Sequence, residues 1–365
     1  MRRVFIFLLS LSLCCCMGCS KQEVKAETGH SVMPVYLSNL PIIDEDLYGY
    51  YSSLSVDERT VYKELYAGFT RRLTSFSVST NDTEELFKCY SSVLLEHPEI
   101  FYVSGYSYES DDSLLITPRY SMSVNAVKGY QEQCDNYVKR IIASIPENSD
   151  TYDSIRYVYD YIASNTVYGE NTNDQTMISV ACDNQSVCLG YALMYQYCLQ
   201  QLGIPNIVVT GTAYGTDHAW NVVKYNGKWY NSDVTWASQT YWYYDNSLKQ
   251  KIVSYDYFLV SDAAIRRDHT VSMSLYVPVC SSDDLDYYKL NNLYLESCDE
   301  AQLQSIFNNA MKSDKHSLVL KCSDNTTFIA VRKYLIEDSS IFDLLNTTEC
   351  SYTYSADLCT LTFWF

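Results

Sequence analysis

The chain has 365 residues, of which 47% are hydrophobic and 19% are charged. It is long enough for two or three domains and apolar enough to bury cores, so it is not a disordered chain. The formal net charge of −18 argues against a nucleic-acid-binding protein, because such proteins present a basic face to the phosphates. The 36 tyrosines favour packing at half-buried positions, with aromatic platforms for carbohydrate or peptide as the alternative.

The N-terminus has the pattern of an export signal. Two arginines precede an apolar run over residues 4–13, which is too short for a comfortable transmembrane anchor. A glycine directly before Cys19 resembles the bacterial lipoprotein box, in which the cysteine is lipidated. We therefore expect a lipoprotein signal peptide over residues 1–19, lipidation at Cys19 and a flexible stalk over residues 20–44. Ordinary signal cleavage without a lipid is the alternative.

The next part of the chain predicts helices and one β-hairpin. Ser55, with Glu58 three residues later, forms a capping box, and apolar residues follow at helical spacing. The predicted elements are a helix from residue 55, a helix over 83–96, hairpin strands within 100–110 and 113–122, and helices over 125–143 and 154–164.

A buried helix, a strand and a second hairpin follow. Gly203 and Pro205 close the helix, as expected at a C-terminus, and Asn226-Gly227 is a strong signal for a hairpin turn. The predicted elements are a helix over 186–202, a strand within 204–214, a hairpin over 218–236 and a strand over 255–261. Beyond Pro278 the pattern strand, helix, strand, helix, strand predicts a separate small α/β domain.

Three residues in this region carry the chemistry. Cys188 opens the buried helix, His218 opens the first strand of the hairpin, and Asp233 is predicted in its second strand. Opposed side chains on paired antiparallel strands lie about 5 Å apart, so the hairpin brings His218 beside Asp233. The positive end of a helix favours a thiolate, the reactive form of cysteine, and so does a neighbouring imidazolium. The pattern therefore predicts a nucleophilic cysteine site.

The segments that carry these residues resemble the core of the transglutaminase-like superfamily, which has the papain-type cysteine protease fold. The matching segments are VCLGYA over 187–192, HAWN over 218–221 and WYNSDVTW over 229–236. The resemblance implies an α+β fold in which the helix bearing the cysteine packs on an antiparallel sheet. We assign this core to residues 125–275, the preceding helical and hairpin region to 45–124, and the C-terminal α/β domain to 276–365.

The resemblance also implies the role of each site residue. Cys188 is the nucleophile, His218 the general base and acid, and Asp233 the group that orients His218. The backbone N–H of Cys188 is the expected oxyanion donor, with the side chain of Gln185 as a second donor. A cap or a solvated loop position is the alternative for Gln185. No cofactor and no metal site is expected.

Tryptophans and two unusual segments bear on the shape of the cleft. Trp220 and Trp236 are candidates for its wall, with a place in the core around the hairpin as the alternative. Residues 181–186, just before the nucleophile, are more polar than is common in the family. Residues 237–254 form a longer connection than a tight turn needs, so we expect this segment to cover the cleft and restrict substrates.

The remaining cysteines and histidines show no comparable pattern. Apart from Cys19 and Cys188, nine cysteines follow the signal peptide, an odd number that cannot pair completely within one chain. Cys350 and Cys359 are candidates to face each other across a hairpin. The other histidines are interpreted as structural or exposed; they are His30, His97, His269 and His316.

The function expected from these observations is that of a lipid-anchored cysteine enzyme on the outer face of a bacterial cell membrane. It acts on amide or peptide bonds through a thioester, as a peptidase or amidase or in protein-glutamine acyl transfer, with hydrolysis favoured because water is abundant there. The expected partner is a protein or peptide, a cell-wall peptide among them, with no nucleic acid and no membrane contact except at Cys19. The alternative is a non-enzymatic adhesion or wall-binding protein, against which the three triad positions argue.

Overall fold

The computed structural model describes residues 37–110, 113–242, 249–272, 275–313 and 317–365, together with two short N-terminal strands. In those strands and over residues 238–251 only the backbone is described. None of the helices in these ranges is both long and apolar enough to cross a membrane. The predictions for Cys19 and most of the stalk lie outside the described residues.

The chain forms two compact units, Met1–Ser282 and Asp283–Phe365. The sequence predicts that the last domain begins at residue 276, whereas the second unit begins seven residues later, at Asp283. The division of the first unit into an N-terminal region and a core stays a prediction.

The first unit begins with helices and a five-stranded sheet. Its first elements are β1 (Val4–Phe7), β2 (Glu23–Val24), α1 (Gly49–Ser53), α2 (Val56–Thr70), β3 (Phe76–Val78), α3 (Thr83–Glu96), β4 (Val103–Ser110) and β5 (Leu114–Tyr120). The strand order is β2-β1-β4-β5-β3. The capping box is confirmed, since Ser55 and Glu58 exchange backbone-to-side-chain hydrogen bonds in both directions. The β4–β5 hairpin is confirmed too.

The core that carries the site consists of helices on a four-stranded antiparallel sheet. Its elements are α4 (Val124–Ala143), α5 (Thr151–Asn165), β6 (Val167–Tyr168), β7 (Gln185–Ser186), α6 (Cys188–Gln201), β8 (Asn206–Ala213), β9 (Thr216–Tyr225), β10 (Lys228–Ser232), α7 (Val234–Ala237), β11 (Ser238–Trp242), β12 (Lys249–Val253), α8 (Asp262–Ile265) and β13 (His269–Val271). The sheet order is β10-β9-β8-β13. Helix α6 is buried from Cys188 to Gln200 and packs on β8 and β9, which confirms the α+β fold with the cysteine helix on an antiparallel sheet.

Two predictions in this core were wrong. The helix begins at Cys188 rather than residue 186, because Gln185 and Ser186 pair with β6 as a short parallel strand. Residues 255–261 form turns and a single bridge between Asn231 and Val260 rather than a strand. The fourth strand of the sheet is instead β13, which the sequence analysis missed.

The second unit has its own sheet and apolar core. Its elements are α9 (Tyr287–Leu290), β14 (Tyr294–Leu295), α10 (Glu300–Lys312), β15 (Ser317–Cys322), α11 (Asn325–Arg332), α12 (Ser340–Leu345), β16 (Ser351–Ser355) and β17 (Thr360–Trp364). The strand order is β14-β15-β17-β16. The predicted first strand, over residues 287–295, begins with helix α9 and is a strand only at its end, in β14. The predicted last strand is the β16–β17 hairpin.

Cys350 and Cys359 do not face each other across this hairpin. Ser351 pairs with Trp364 and Ser355 with Thr360, so Cys350 lies at the open end and Cys359 beside the turn. Both thiols are free. The idea that they pair was therefore wrong, because the turn lies closer to Cys359 than the sequence alone indicates.

Candidate active site

Cys188 is the first residue of α6. The sequence predicts this cysteine at the start of a helix, although the helix begins two residues later than the predicted residue 186. The residue before it, Val187, is extended and provides no side-chain cap to the helix. The first N–H groups of a helix have no acceptor within the helix. The side chain of Cys188 therefore lies at the positive end of a buried helix whose first backbone donors are not capped by Val187.

The glycine two residues after Cys188 is required by close packing. A Cβ atom on Gly190 would lie 2.1 Å from Ser186 Oγ, 2.6 Å from the carbonyl oxygen of Asp174 and 2.8 Å from that of Thr176. The same Ser186 hydroxyl donates to the Asp174 carbonyl at 3.0 Å and accepts from Ser179 at 2.6 Å. These contacts hold the polar lead-in against the first turn of α6 and so fix the place of Cys188.

His218 and Asp233 are hydrogen-bonded, with 2.7 Å between Nε2 and Oδ2. The position of Asp233 differs from the prediction, because β10 ends at Ser232 and Asp233 lies just beyond it. Its second oxygen, Oδ1, accepts from the N–H groups of Thr235 at 2.9 Å and Trp236 at 3.3 Å. The carboxylate is thus oriented by the turn that follows the hairpin as well as by strand pairing.

Charge and burial act in opposite directions on this pair. Burial by itself lowers the pKa of His218, but the charge of Asp233, their hydrogen bond and the neighbouring Cys188 thiol raise it to about 10. Burial by itself raises the pKa of Asp233, yet the imidazoles of His218 and His269 hold it well below its usual value. The stable arrangement is therefore an imidazolium at His218 beside an ionised Asp233.

Cys188 lies next to His218, which is hydrogen-bonded to Asp233. Cys188 lies close enough to His218 for a hydrogen bond between their side chains to contribute to the imidazole's pKa. The side chains of both residues are buried, with Cys188 7% exposed and His218 5% exposed. The arrangement places a thiol at the start of a buried helix next to an imidazole, which is the geometry that a cysteine nucleophile needs.

His269 is buried in the same cluster as His218 and Asp233, although the sequence showed no partner pattern for it and it was interpreted only as structural or exposed. Its Nε2 lies 3.2 Å from Asp233 Oδ2, and its Nδ1 is hydrogen-bonded to Asp268 Oδ1. Tyr257 donates to the other oxygen of Asp268 at 2.6 Å. The available sequence signal was the acidic residue directly before His269, but nothing local indicated that β13 would pair with β8.

The two candidate wall tryptophans have different environments. Trp220 is 1% exposed and donates from Nε1 to Asn231 Oδ1 at 3.1 Å, so it belongs to the core and its assignment to the cleft wall was wrong. Trp236 is half-buried and approaches His218 with 5.9 Å between ring centroids. It also stacks on Tyr214 at 5.3 Å with an interplanar angle of 10°, and Tyr214 is 62% exposed. Trp236 as a cleft wall stays a prediction.

The side chain of Gln185 has a backbone partner. Its Nε2 donates to the carbonyl oxygen of Glu170 at 3.0 Å. One of the two amide protons is thus used in holding the lead-in to α6, and the role of Gln185 as an oxyanion donor stays a prediction. Among the other histidines, His97 is buried and pairs with Glu99 at 2.8 Å. His30 and His316 lie outside the described residues.

Residues 136–234 match the model of the transglutaminase-like superfamily. The matched segment contains Cys188 and His218 and ends directly after Asp233. The segment over residues 136–234 belongs to the transglutaminase-like superfamily. His269 and Asp268 lie outside the segment that the family model matches.

Parts of several solved structures align with parts of this chain. A crystal structure of a TGase aligns with a TM-score of 0.28 and 16% identity over 36% of this chain and 44% of that chain. A candidate cysteine protease from Cytophaga hutchinsonii gives 0.26 and 18% over 35% and 52%. The periplasmic domain of TgpA from Pseudomonas aeruginosa, bound to ethylmercury, gives 0.24 and 13% over 36% and 62%. This chain thus spans less than two thirds of each of these structures. No curated protein matches the sequence.

Proposed function

We propose that this transglutaminase-like protein is a cysteine enzyme that acts on amide or peptide bonds of a protein or peptide through a thioester. The observation that supports this most strongly is the 2.7 Å hydrogen bond between His218 and Asp233, next to the thiol at the start of α6. Buried imidazole and carboxylate groups of this kind turn a thiol into a nucleophile. The remaining cysteines lack such a partner pair within the described residues.

In the first half of the reaction the thiolate of Cys188 attacks the carbonyl carbon of the substrate. A C–S bond forms, and the electron pair of the carbonyl moves to the oxygen, where the backbone N–H of Cys188 would stabilise the negative charge. His218 then donates its proton to the leaving nitrogen as the C–N bond breaks. An amine or ammonia departs, and the thioester remains on Cys188.

In the second half water replaces the amine. His218, now neutral, takes a proton from water while the oxygen attacks the thioester carbon. The C–S bond breaks, the acid leaves, and the thiolate and imidazolium are restored. A second amine in place of water would give a new amide and thus a cross-link. We favour hydrolysis, because water at a cell surface is far more abundant than any amine that could bind at the site.

Selective alkylation tests whether Cys188 is the nucleophile. Iodoacetamide at pH 7 should label Cys188 first, because burial raises the pKa of other thiols, for example that of Cys89 to about 12. Mass spectrometry of the digested protein gives the rate at each cysteine, with His218→Gln as the test variant and His97→Gln as the matched control. Equal labelling of Cys188 and the buried cysteines would favour the non-enzymatic adhesion or wall-binding alternative.

Amine incorporation separates hydrolysis from cross-linking. The protein is incubated with glutamine-containing peptides, one set carrying cell-wall stem sequences, in the presence of a labelled primary amine. Release of ammonia or peptide fragments without label, lost in Cys188→Ala and kept in Cys182→Ala, supports hydrolysis. Robust transfer of the amine into the peptides would show that acyl transfer is the reaction instead.

We also propose that the enzyme is held at the outer face of a bacterial membrane by a lipid on Cys19. Support comes from the glycine before Cys19 and the apolar run ahead of it. Expression in a bacterium with radiolabelled palmitate should label the wild-type chain and leave Cys19→Ala unlabelled. Cleavage before residue 19 without label in the wild type would indicate an ordinary secreted protein.

A further inference from the structure

We propose that His269, held by Asp268, is a positioning residue of this site: it keeps the carboxylate of Asp233 ionised and in place while His218 gains and loses its proton. The inference rests on the proposed function and adds to it a fourth and a fifth residue. Both lie on or directly before β13, outside the segment that the superfamily model matches.

The carboxylate of Asp233 has four hydrogen-bond partners, two at each oxygen. Oδ2 faces the Nε2 atoms of His218 and His269, at 2.7 Å and 3.2 Å. Oδ1 accepts from the two backbone N–H groups of Thr235 and Trp236. The side chain of Asp233 is 0% exposed. An ionised carboxylate only accepts hydrogen bonds, so each of the two imidazoles must present an N–H to it.

His269 has a carboxylate oxygen next to each of its ring nitrogens. Its Nε2 faces Asp233, and its Nδ1 faces Asp268 Oδ1, so both ring nitrogens meet acceptors. A neutral imidazole carries only one N–H, whereas an imidazolium carries two. The side chain of His269 is 0% exposed and that of Asp268 is 3% exposed, so water does not replace either contact. The geometry therefore places a buried imidazolium between two carboxylates.

The positive charge of His269 acts on Asp233 while His218 changes its own charge during the reaction. When His218 becomes neutral, Asp233 loses one positive partner while it stays buried. A buried charge without a partner is strongly destabilising. His269 supplies a positive partner that takes no part in the proton transfers. It therefore lets His218 change its charge while Asp233 keeps its position. Asp268 holds His269, and the hydroxyl of Tyr257 in turn holds Asp268.

The experiment measures protonation directly and does not need a substrate. The full-length protein is labelled with ¹⁵N-histidine, and the ring nitrogens are observed by NMR from pH 5 to about pH 12, a range that includes the His218 midpoint of about 10. His269→Gln and Asp268→Asn serve to assign the signals and as test variants, and His97→Gln is the matched control, because His97 is also buried against a carboxylate.

Because both ring nitrogens face carboxylate oxygens, we expect a hydrogen on each ring nitrogen of His269 at pH 7. In His269→Gln, where an amide N–H can still reach Asp233 but the charge is gone, the midpoint of the His218 titration should rise by about one pH unit. In His97→Gln it should not move. A His269 ring with one unprotonated nitrogen at pH 7, or an unchanged His218 titration in both His269→Gln and Asp268→Asn, would overturn the inference.

A kinetic measurement adds a readout that a purely structural role would not give. p-Nitrophenyl acetate can acylate a reactive thiol, and release of nitrophenol then follows a burst and a steady phase. Removal of the His269 charge should slow the steady phase roughly 10-fold and the burst less, because water attack needs a neutral His218. Equal slowing of both phases would count against the role. If the wild type gives no burst, the proposed function fails, while the NMR result still decides the protonation of His269.

Discussion

Gly211 of β8 lies against the backbone of Thr270, the residue that follows His269 in β13. A Cβ atom at position 211 would come within 1.9 Å of the carbonyl oxygen of Thr270. Residue 211 also pairs with His218 on one side and with Val271 on the other. The glycine therefore allows β13 to approach the sheet closely enough for His269 to reach Asp233.

Replacing Gly211 should move β13 away from β8. In Gly211→Ala the methyl group overlaps a backbone oxygen, so β13 must move and the contact between His269 and Asp233 should be lost. We expect the free energy of unfolding to fall by roughly 1–3 kcal/mol, the range of overpacking, and Cys188 alkylation at pH 7 to slow. Urea unfolding and mass spectrometry measure the two effects. Gly129→Ala is the control, since nothing lies within 4 Å of its added carbon. Wild-type stability and labelling would contradict the close packing.

The glycine near the nucleophile gives a second prediction. In Gly190→Ala the added carbon overlaps Ser186 Oγ and the Asp174 and Thr176 carbonyl oxygens. Either α6 or the lead-in must move, so labelling of Cys188 by iodoacetamide should slow at least several-fold, with a loss of roughly 1–3 kcal/mol in stability. Gly129→Ala, another Gly-to-Ala change within a helix, should be neutral or stabilising. Unchanged labelling in Gly190→Ala would show that the first turn of α6 tolerates the displacement.

The raised pKa of His218 predicts how stability depends on pH. Its pKa in the folded protein is about 10, above the unfolded value of 6.5, so proton binding favours the fold. This contribution is fully present below pH 6.5 and is lost as the pH rises to about 10. His218→Gln lacks it, and the stability gap between wild type and variant should shrink by about 4 kcal/mol over that window.

Urea unfolding of the two proteins at pH 6, 8 and 10 measures this gap. His97→Gln is the control for loss of a buried histidine next to a carboxylate. A constant gap between wild type and His218→Gln would mean that His218 is not held as a cation by Asp233.

The two tryptophans should separate into a core residue and a cleft residue. Trp220→Phe removes the N–H that binds Asn231 in a buried site and should cost roughly 1–3 kcal/mol of stability. Tyr214→Ala removes the exposed partner of Trp236 and should change stability by less than about 0.5 kcal/mol.

The reactivity of Cys188 tests whether Trp236 and Tyr214 line the approach to the thiol. If they do, N-benzyl iodoacetamide should lose more of its labelling rate than iodoacetamide in Tyr214→Ala, because the aromatic probe loses a stacking surface. Trp220→Phe should not change this ratio. Equal effects on both probes in Tyr214→Ala would remove the pair from the cleft wall.

The sequence by itself determined the parts of the molecule that depend on neighbours along the chain. The capping box at Ser55, the Asn226-Gly227 turn and the presence of the buried helix α6, though not its first residue, follow from local spacing and turn chemistry. His218 and Asp233 are brought together by a single hairpin, so their hydrogen bond follows from a contiguous segment. Even there the sequence placed Asp233 in the strand, because nothing local shows that the backbone leaves the sheet after Ser232.

Only the tertiary structure decided which distant groups complete the site. His269 reaches Asp233 because β13 adds to the free edge of β8, and that pairing depends on the space left by Gly211 rather than on any pattern around His269. The same is true of Trp220 and Trp236. Nothing in the sequence around either residue shows that Trp220 is enclosed in the core and that Trp236 is half-buried. Local periodicity reports the shape of a segment, whereas long-range packing is set by surfaces that meet only after the chain has folded.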